Sequence, residues 1–261
     1  MPEGGFMQII VCIDDTDHIT TKGSKGTGDL AQHIAGTVKE MGWGTSSRIT
    51  RHQLLLHEDI PYTSHNSSMC FEADVDPRYL QDLIMFCSLY LERESEPEAD
   101  PGLCIAVVEN LADVRPLIDF GYRAKREVLT KEDAYRLAGG LDIHLSEHGG
   151  TGQGVIGALA GAGLRLGGND GAFKSRHKVG QPGEMLTAAR LRDLAKVDAV
   201  QDPEGRLLED HEPVLLGQMV KSILSGGRAV IPVQKEASIE GSSVWKTCSR
   251  EHIHLGQRAA R

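Results

Sequence analysis

The sequence predicts an α/β or α+β protein: a mixed sheet with flanking helices, a ferredoxin-like element within or beside it, and a small C-terminal appendage. Three observations carry this reading. A continuous apolar run of strand length, Met7 to Ile13, breaks abruptly into a polar loop. Apolar residues then recur at helical spacing in Leu30, Ala31, Ile34, Ala35 and Val38, and further short apolar runs alternate with helical stretches in the order β-α-β-β-α-β. With 261 residues the chain can bury one large or two modest cores. The expected division is a larger region over 1–179, which holds the ferredoxin-like element, and a small α+β region over 180–261.

Taken in order, Met7 to Ile13 reads as a buried strand ending in the acidic loop Asp14-Asp15-Thr16-Asp17. A loop rich in Thr, Gly and Lys follows, and Thr27 is read as the N-cap of a helix reaching about Met41. Strands are expected over Arg48 to Leu56, Met69 to Val75 and Leu103 to Val108. Asp76-Pro77 pairs a capping residue with a proline at the first helical position, so a helix should start there. The acidic stretch Glu92 to Pro101 reads as a solvated connection, and Thr130 with Asp133 as a capping box for a helix to Leu137. The glycine-rich turn from His148 to Gly154 leads straight into Val155, Ile156, Ala158, Leu159 and Ala160, a loop followed by a helix. Beyond Gly180 a helical stretch ends near Val197, Asp202-Pro203-Glu204-Gly205 makes a turn, and Arg228 to Val233 reads as a strand.

The balance of 28 Lys+Arg against 37 Asp+Glu gives a formal charge of -9, so the surface as a whole should not draw nucleic acid by electrostatics. Neither a basic, apolar leader nor a run of about 18 apolar residues is present, and the expectation is a cytoplasmic protein with no membrane partner. Of the five cysteines, Cys12, Cys70, Cys87 and Cys104 lie in apolar runs, where free cysteine behaves as a small buried hydrophobe.

Asp14, Asp15 and Asp17 place three carboxylates within four positions at the end of a buried strand. They repel one another unless a cation sits among them, and hard oxygen ligands that can be completed by phosphates suit Mg2+. The competing reading is a solvated acidic turn. Gly149, Gly150, Thr151, Gly152 and Gly154 can turn backbone N–H groups toward a phosphate at the start of a helix, although the loop lacks the Lys-Ser/Thr ending of a P-loop and also suits a plain tight turn. Lys22 and Lys25, among glycines, are candidates for a cationic flap over phosphates, and Asn66 follows a polar loop that can face a ligand. Cys248, His252 and His254 carry metal-ligand chemistry but lack a second cluster.

The run Ile13-Asp14-Asp15-Thr16-Asp17, the loop to Thr27, Ile60-Pro61-Tyr62 with Asn66, Asp100-Pro101-Gly102, and Gly149 to Ala160 resemble, in content and order, the archaeal isoleucine-tRNA agmatinylcytidine synthetases. The resemblance covers roughly residues 7 to 175 and implies that family's kinase-like catalytic domain, which uses ATP and magnesium to phosphorylate a tRNA cytidine before agmatine displaces the phosphate. It implies Asp14, Asp15 and Asp17 as metal ligands, Thr27 as the position of the family's autophosphorylated threonine, and Gly149 to Gly154 as phosphate contacts. Here His18 follows the acidic motif, Gly26-Thr27-Gly28 stands where the family has Cys-Thr-Thr, and Thr63-Ser64-His65-Asn66 lacks the family's arginine. A tRNA-binding barrel and a zinc ribbon are not recognisable.

The expectation is therefore an ATP- and Mg2+-dependent phosphotransferase or ligase-like enzyme, with Asp14, Asp15 and Thr27 in catalysis, acting on an oxygen of a small acceptor. A nucleotide-binding accessory protein without turnover, or a compact tRNA modifier with a separate RNA-binding partner, are the alternatives.

Overall fold

The computed structural model describes residues 5–17, 25–60, 66–237, 243–249 and 253. The chain divides into two compact units, Met1–Gly167 and Gly168–Arg261.

In the first unit the elements run β1 (Met7–Asp14), α1 (Thr27–Glu40), β2 (Gly44–Ser46), β3 (Thr50–Gln53), β4 (Ser67–Val75), α2 (Leu80–Glu94), β5 (Gly102–Val107), α3 (Arg115–Arg123), α4 (Lys131–Gly140), β6 (His144–Glu147) and α5 (Gly154–Gly167). The sheet order is β6-β5-β1-β4-β3, with β2 also on β4, and these pairs are antiparallel. The strands β5-β1-β4-β3, crossed by α1 and α2, form the ferredoxin-like element that the strand and helix order predicts.

Strand β1 is central, so both of its faces are covered, and its sequence is a continuous apolar run rather than an alternation. Ile9, Val11 and Ile13 join Phe71, Ala73, Leu103 and Ile105 in a core with the apolar faces of α1 and α2. On the opposite face Ile10 and Cys12 join Cys70, Cys104 and Ala106 against α3, α4 and α5. The period-two alternation of a strand thus divides one apolar run between two cores.

Several elements match the expectation closely. Asp76 caps the turn Pro77–Tyr79 that leads into α2, its side chain accepting from the backbone N–H of Arg78, and Thr130 and Asp133 make the capping box of α4. Others differ. Helix α1 takes Gly26 as its N-cap, and Thr27 is its first residue, because the Thr27 hydroxyl is engaged by Thr16 instead of the helix backbone. Helix α2 continues to Glu94, into the stretch expected to be a solvated connection: Leu91 is fully buried, Glu92 and Arg93 beyond it are exposed, and Glu94 is partly buried. Strand β6 is too short and polar to be found by pattern, and helix α3, whose buried Leu117 and Phe120 recur at helical spacing, was not among the expected elements.

The second unit contains β7 (Ala172–Phe173), β8 (Met185–Thr187), α6 (Ala188–Ala195), β9 (Ala199–Gln201), β10 (Pro213–Leu215), β11 (Ile223–Ser225), β12 (Arg228–Ala237) and β13 (Ser243–Thr247). Its strand order is β7-β11-β12-β13-β10-β8, with β9 on β12. Here the sheet is mixed, since β10 runs parallel to β13 and β9 parallel to β12. The turn at Asp202 to Gly205 and the strand from Arg228 lie where the sequence puts them. Cys248 is a free thiol whose pKa burial raises to about 11, while His252 and His254 lie outside the described residues. Among the described residues no helix is long and apolar enough to cross a membrane.

Glu212 organises one end of this unit. Its carboxylate accepts from Arg206 Nη1 and Nη2 at 2.8 and 3.0 Å, from Trp245 Nε1 at 3.2 Å and from the Glu209 backbone N–H at 2.7 Å. Arg206 above all, with the Glu209 N–H, holds the Glu212 carboxyl down at about 2. A carboxylate lowered by folding stabilises the protein above its unfolded pKa and loses that contribution as it is protonated. Glu212→Gln is expected to cost this unit about 1–2 kcal/mol in chemical denaturation at pH 7, allowing for the half-exposed Arg206, and the difference between wild type and variant should shrink as pH falls from about 4.5 toward about 2.

Candidate active site

Helix α5 fixes the geometry of the site. Its sequence, GVIGALAGAGLRLG, is glycine-rich on the face that meets the sheet. A Cβ at Gly154 would run into the Asp100 carbonyl and approach the Asp14 carbonyl, and one at Gly157 would occupy the space of the Asp14 carboxylate. Only glycine therefore lets the helix lie directly over the C-terminal end of β1. In register, Asp14 stands opposite Gly102 of β5, and Gly102 opposite Glu147 of β6. The acidic loop, the start of β5 and the glycine loop before α5 thus converge at one end of the first unit's sheet.

Asp14 is 7% exposed. Burial holds its carboxyl well above the usual carboxylate range, and the charges of Asp15 and Asp17 add to this against one hydrogen bond from the Asp15 backbone N–H. Asp15 adopts φ 54°, a left-handed conformation that costs a non-glycine residue energy and that clusters at functional sites. Asp17 turns toward Gly26 at the start of α1, its Oδ2 lying 3.9 Å from where a Gly26 Cβ would stand. Among the described residues no group of three His, Cys, Asp or Glu side chains is gathered as a metal site. The donor set still fits a magnesium ion, which is commonly held by one or two carboxylates and completed by waters and phosphate oxygens. Asp14 is a desolvated hard-oxygen donor whose own environment disfavours its charge, so a cation there would relieve a real electrostatic penalty.

The glycine loop gathers backbone N–H groups on a carboxylate. Gly149, Gly150 and Gly152 have φ of 154°, 52° and 73°, so successive N–H groups turn inward as an L side chain would not readily allow. In this structure the anion is the Asp100 carboxylate: its Oδ1 accepts from the Thr151 N–H and, at 3.2 Å, from the Gly152 N–H. The Gly154 N–H bonds the Asp100 carbonyl at 3.0 Å. Lys131 ties the loop down, donating to the Thr151 carbonyl at 2.7 Å and to Glu147 Oε1 at 3.0 Å, and Tyr135 donates to the same Glu147 oxygen at 2.7 Å.

The other sequence candidates divide. Thr27 is buried, and its hydroxyl accepts from Thr16 at 3.0 Å. Lys25 Nζ lies 2.7 Å from Glu94 on α2, which keeps the ammonium at the rim. Asn66 donates to the Leu55 carbonyl at 2.7 Å and its own carbonyl accepts from Leu54 and Gln53, so its polar groups brace the chain between β3 and β4. Lys22 lies outside the described residues. Glu147 and the side chain of Asp100 had no expected role; the usable signal was an acidic residue just before Pro-Gly at a strand start.

The fold and the site together define an α/β unit with a ferredoxin-like sheet, an acidic strand end and a glycine-rich loop at a helix N-terminus. In structure the chain is similar to the complex of TiaS with an isoleucine tRNA and ATP, at 26% identity and TM-score 0.51, covering 60% of this chain and 36% of that one. It is likewise similar to apo TiaS, an isoleucine-tRNA agmatidine synthetase, at 26% identity and TM-score 0.50 over 60% and 35% of the two chains. A tRNA fluorescent labelling enzyme matches at 27% identity and TM-score 0.50 over 60% and 36%. The chain thus resembles that agmatidine synthetase family in structure as it does in sequence motif, while spanning little more than a third of those proteins' length. No family model and no curated protein matches by sequence.

The Asp14 environment has a measurable consequence. A carboxyl raised by folding binds more protons in the native than in the unfolded state, so stability falls as pH rises from the unfolded value toward the raised native one. Asp14→Asn, nearly isosteric and uncharged, is expected to raise the Tm of the metal-free protein at pH 7, by about 2–4 °C for each kcal/mol relieved, and to remove any stabilisation by added Mg2+. A lower Tm in the metal-free variant would contradict the buried-charge account.

Proposed function

We propose that this chain is an ATP- and magnesium-dependent enzyme that activates an oxygen of its substrate by phosphoryl transfer. The observation that carries the reading is the convergence of Asp14, Asp15 and the Gly149 to Gly154 loop at one sheet end, with the loop N–H groups already gathered on a carboxylate. Asp14 and Asp15, with Asp17 at the margin, would hold the cation, which neutralises developing phosphate charge when bound. The glycine loop and the α5 N-terminus would orient the phosphates once Asp100 yields its donors. Likeness to an enzyme solved with ATP supports the nucleotide.

For the acceptor we infer a small molecule, since the charge of -9 opposes a long polyanion. A compact tRNA-modifying enzyme is the second reading, favoured by the tRNA in the complex to which the chain is similar. Thr27 as a phosphorylated residue would require its buried contact with Thr16 to open.

Two outcomes are expected. In calorimetry ATP should bind at least about tenfold more tightly with Mg2+ than with EDTA, and Asp15→Asn should lower ATP turnover by about a hundredfold without unfolding the protein; equal affinity in both buffers removes the metal assignment. In filter binding at physiological salt the protein alone should hold isoleucine tRNA no more tightly than bulk tRNA. Submicromolar, salt-sensitive binding that discriminates between them would overturn the small-acceptor reading in favour of the second.

A further inference from the structure

Behind the glycine loop lies a second polar constellation that the nucleotide reading does not use. Residues 144, 146 and 148 share one side of β6 and its continuation, since alternate residues of a strand face the same way. His148 Nε2 lies 2.8 Å from Ser146 Oγ, and His144 Nε2 lies 3.0 Å from the same oxygen. His148 Nδ1 reaches Glu92 Oε1 of α2 at 3.4 Å. The His148 side chain is 5% exposed, whereas that of Glu92 is 57% exposed.

The proton positions follow from the inventory of donors and acceptors. An ionised carboxylate only accepts, so the neutral tautomer of His148 that fits the Glu92 contact has its proton on Nδ1 and turns the Nε2 lone pair to the serine. Ser146 then donates its hydroxyl proton to His148, and its oxygen accepts the Nε2–H of His144. A carboxylate on Nδ1 and a hydroxyl on Nε2 is the connectivity that activates a serine nucleophile. The 3.4 Å arm is long, as such contacts commonly are before a substrate tightens them.

We propose that Ser146 is an activated nucleophile that accepts a phosphoryl group from the nucleotide at the loop beginning three residues later, at Gly149. The choice of electrophile rests on the nucleotide reading above; the activation of the serine does not. In the step, Ser146 Oγ forms a bond to the terminal phosphorus of ATP, the bond from that phosphorus to the bridging oxygen breaks, and ADP leaves with its electron pair. The hydroxyl proton passes to His148 Nε2, and Glu92 balances the resulting imidazolium. A purely structural role, pinning α2 to β6, would give no reactivity at all.

Two arms on the full-length protein test this. In the first, a fluorophosphonate probe, which needs no nucleotide, should label Ser146; Ser146→Ala should abolish labelling, and His148→Gln should slow it by roughly 10²–10⁴-fold with an unchanged Tm. In the second, incubation with magnesium-ATP should leave a phosphate on the Ser146 peptide in mass spectrometry. Labelling together with phosphate supports the whole proposal. If ATP binds and Ser146 stays unmodified, the phosphoryl-acceptor role is overturned. If ATP does not bind, the nucleotide reading fails on its own, and the probe alone decides the serine: labelling that His148→Gln slows sustains an activated Ser146, and its absence overturns it.

Discussion

The direct contact of α5 with the end of β1 is the constraint from which the site follows. Strand β1 is covered on both faces, so its last residue cannot turn to solvent within the sheet, and Asp14 delivers a carboxylate beneath a helix. That arrangement is allowed only because Gly154 and Gly157 leave space for the Asp100 and Asp14 backbone and for the Asp14 carboxylate. A helix with alanine at those places would have to lift away, separating the acidic loop from the glycine loop. The same approach puts the α5 N-terminus, with its partial positive charge, close to the buried Asp14 carboxyl.

Electrostatics then gives the two loops complementary needs. The acidic strand end holds a carboxyl whose charge burial and neighbouring Asp15 and Asp17 disfavour, and the glycine loop holds N–H donors gathered on one oxygen of Asp100. Under the proposed function a cation carrying phosphates would satisfy both, with a single exchange: phosphate oxygens for the Asp100 carboxylate. The Lys131, Glu147 and Tyr135 bonds hold the loop from outside, so it need not be rebuilt for that exchange.

Much of this was legible in the sequence because it rests on local signals. The apolar run ending at Asp14, the capping pair Thr130 and Asp133, the Asp76-Pro77 start and the glycine loop before α5 each announce themselves within a few residues. What was not legible depends on partners far apart in the chain. Thr27 has the residue type of an N-cap, but Thr16 takes its hydroxyl and Gly26 becomes the cap. Asn66 looks like an exposed loop residue until Gln53 and Leu55 close on it. The Glu92 to Ser146 chain joins positions more than fifty residues apart through a four-residue edge strand too short and too polar to carry a pattern.

The central claim, that one metal-nucleotide bridges the Asp14 end of β1 and the loop before α5, is tested most directly by a crystal structure with Mn2+ and a non-hydrolysable ATP analogue. The expected result is an anomalous manganese peak in coordination range of Asp14 or Asp15, and phosphate oxygens on the Thr151 and Gly152 N–H groups with the Asp100 carboxylate displaced. Nucleotide bound elsewhere, with Asp100 still holding those two donors and no peak at the acidic loop, would contradict it.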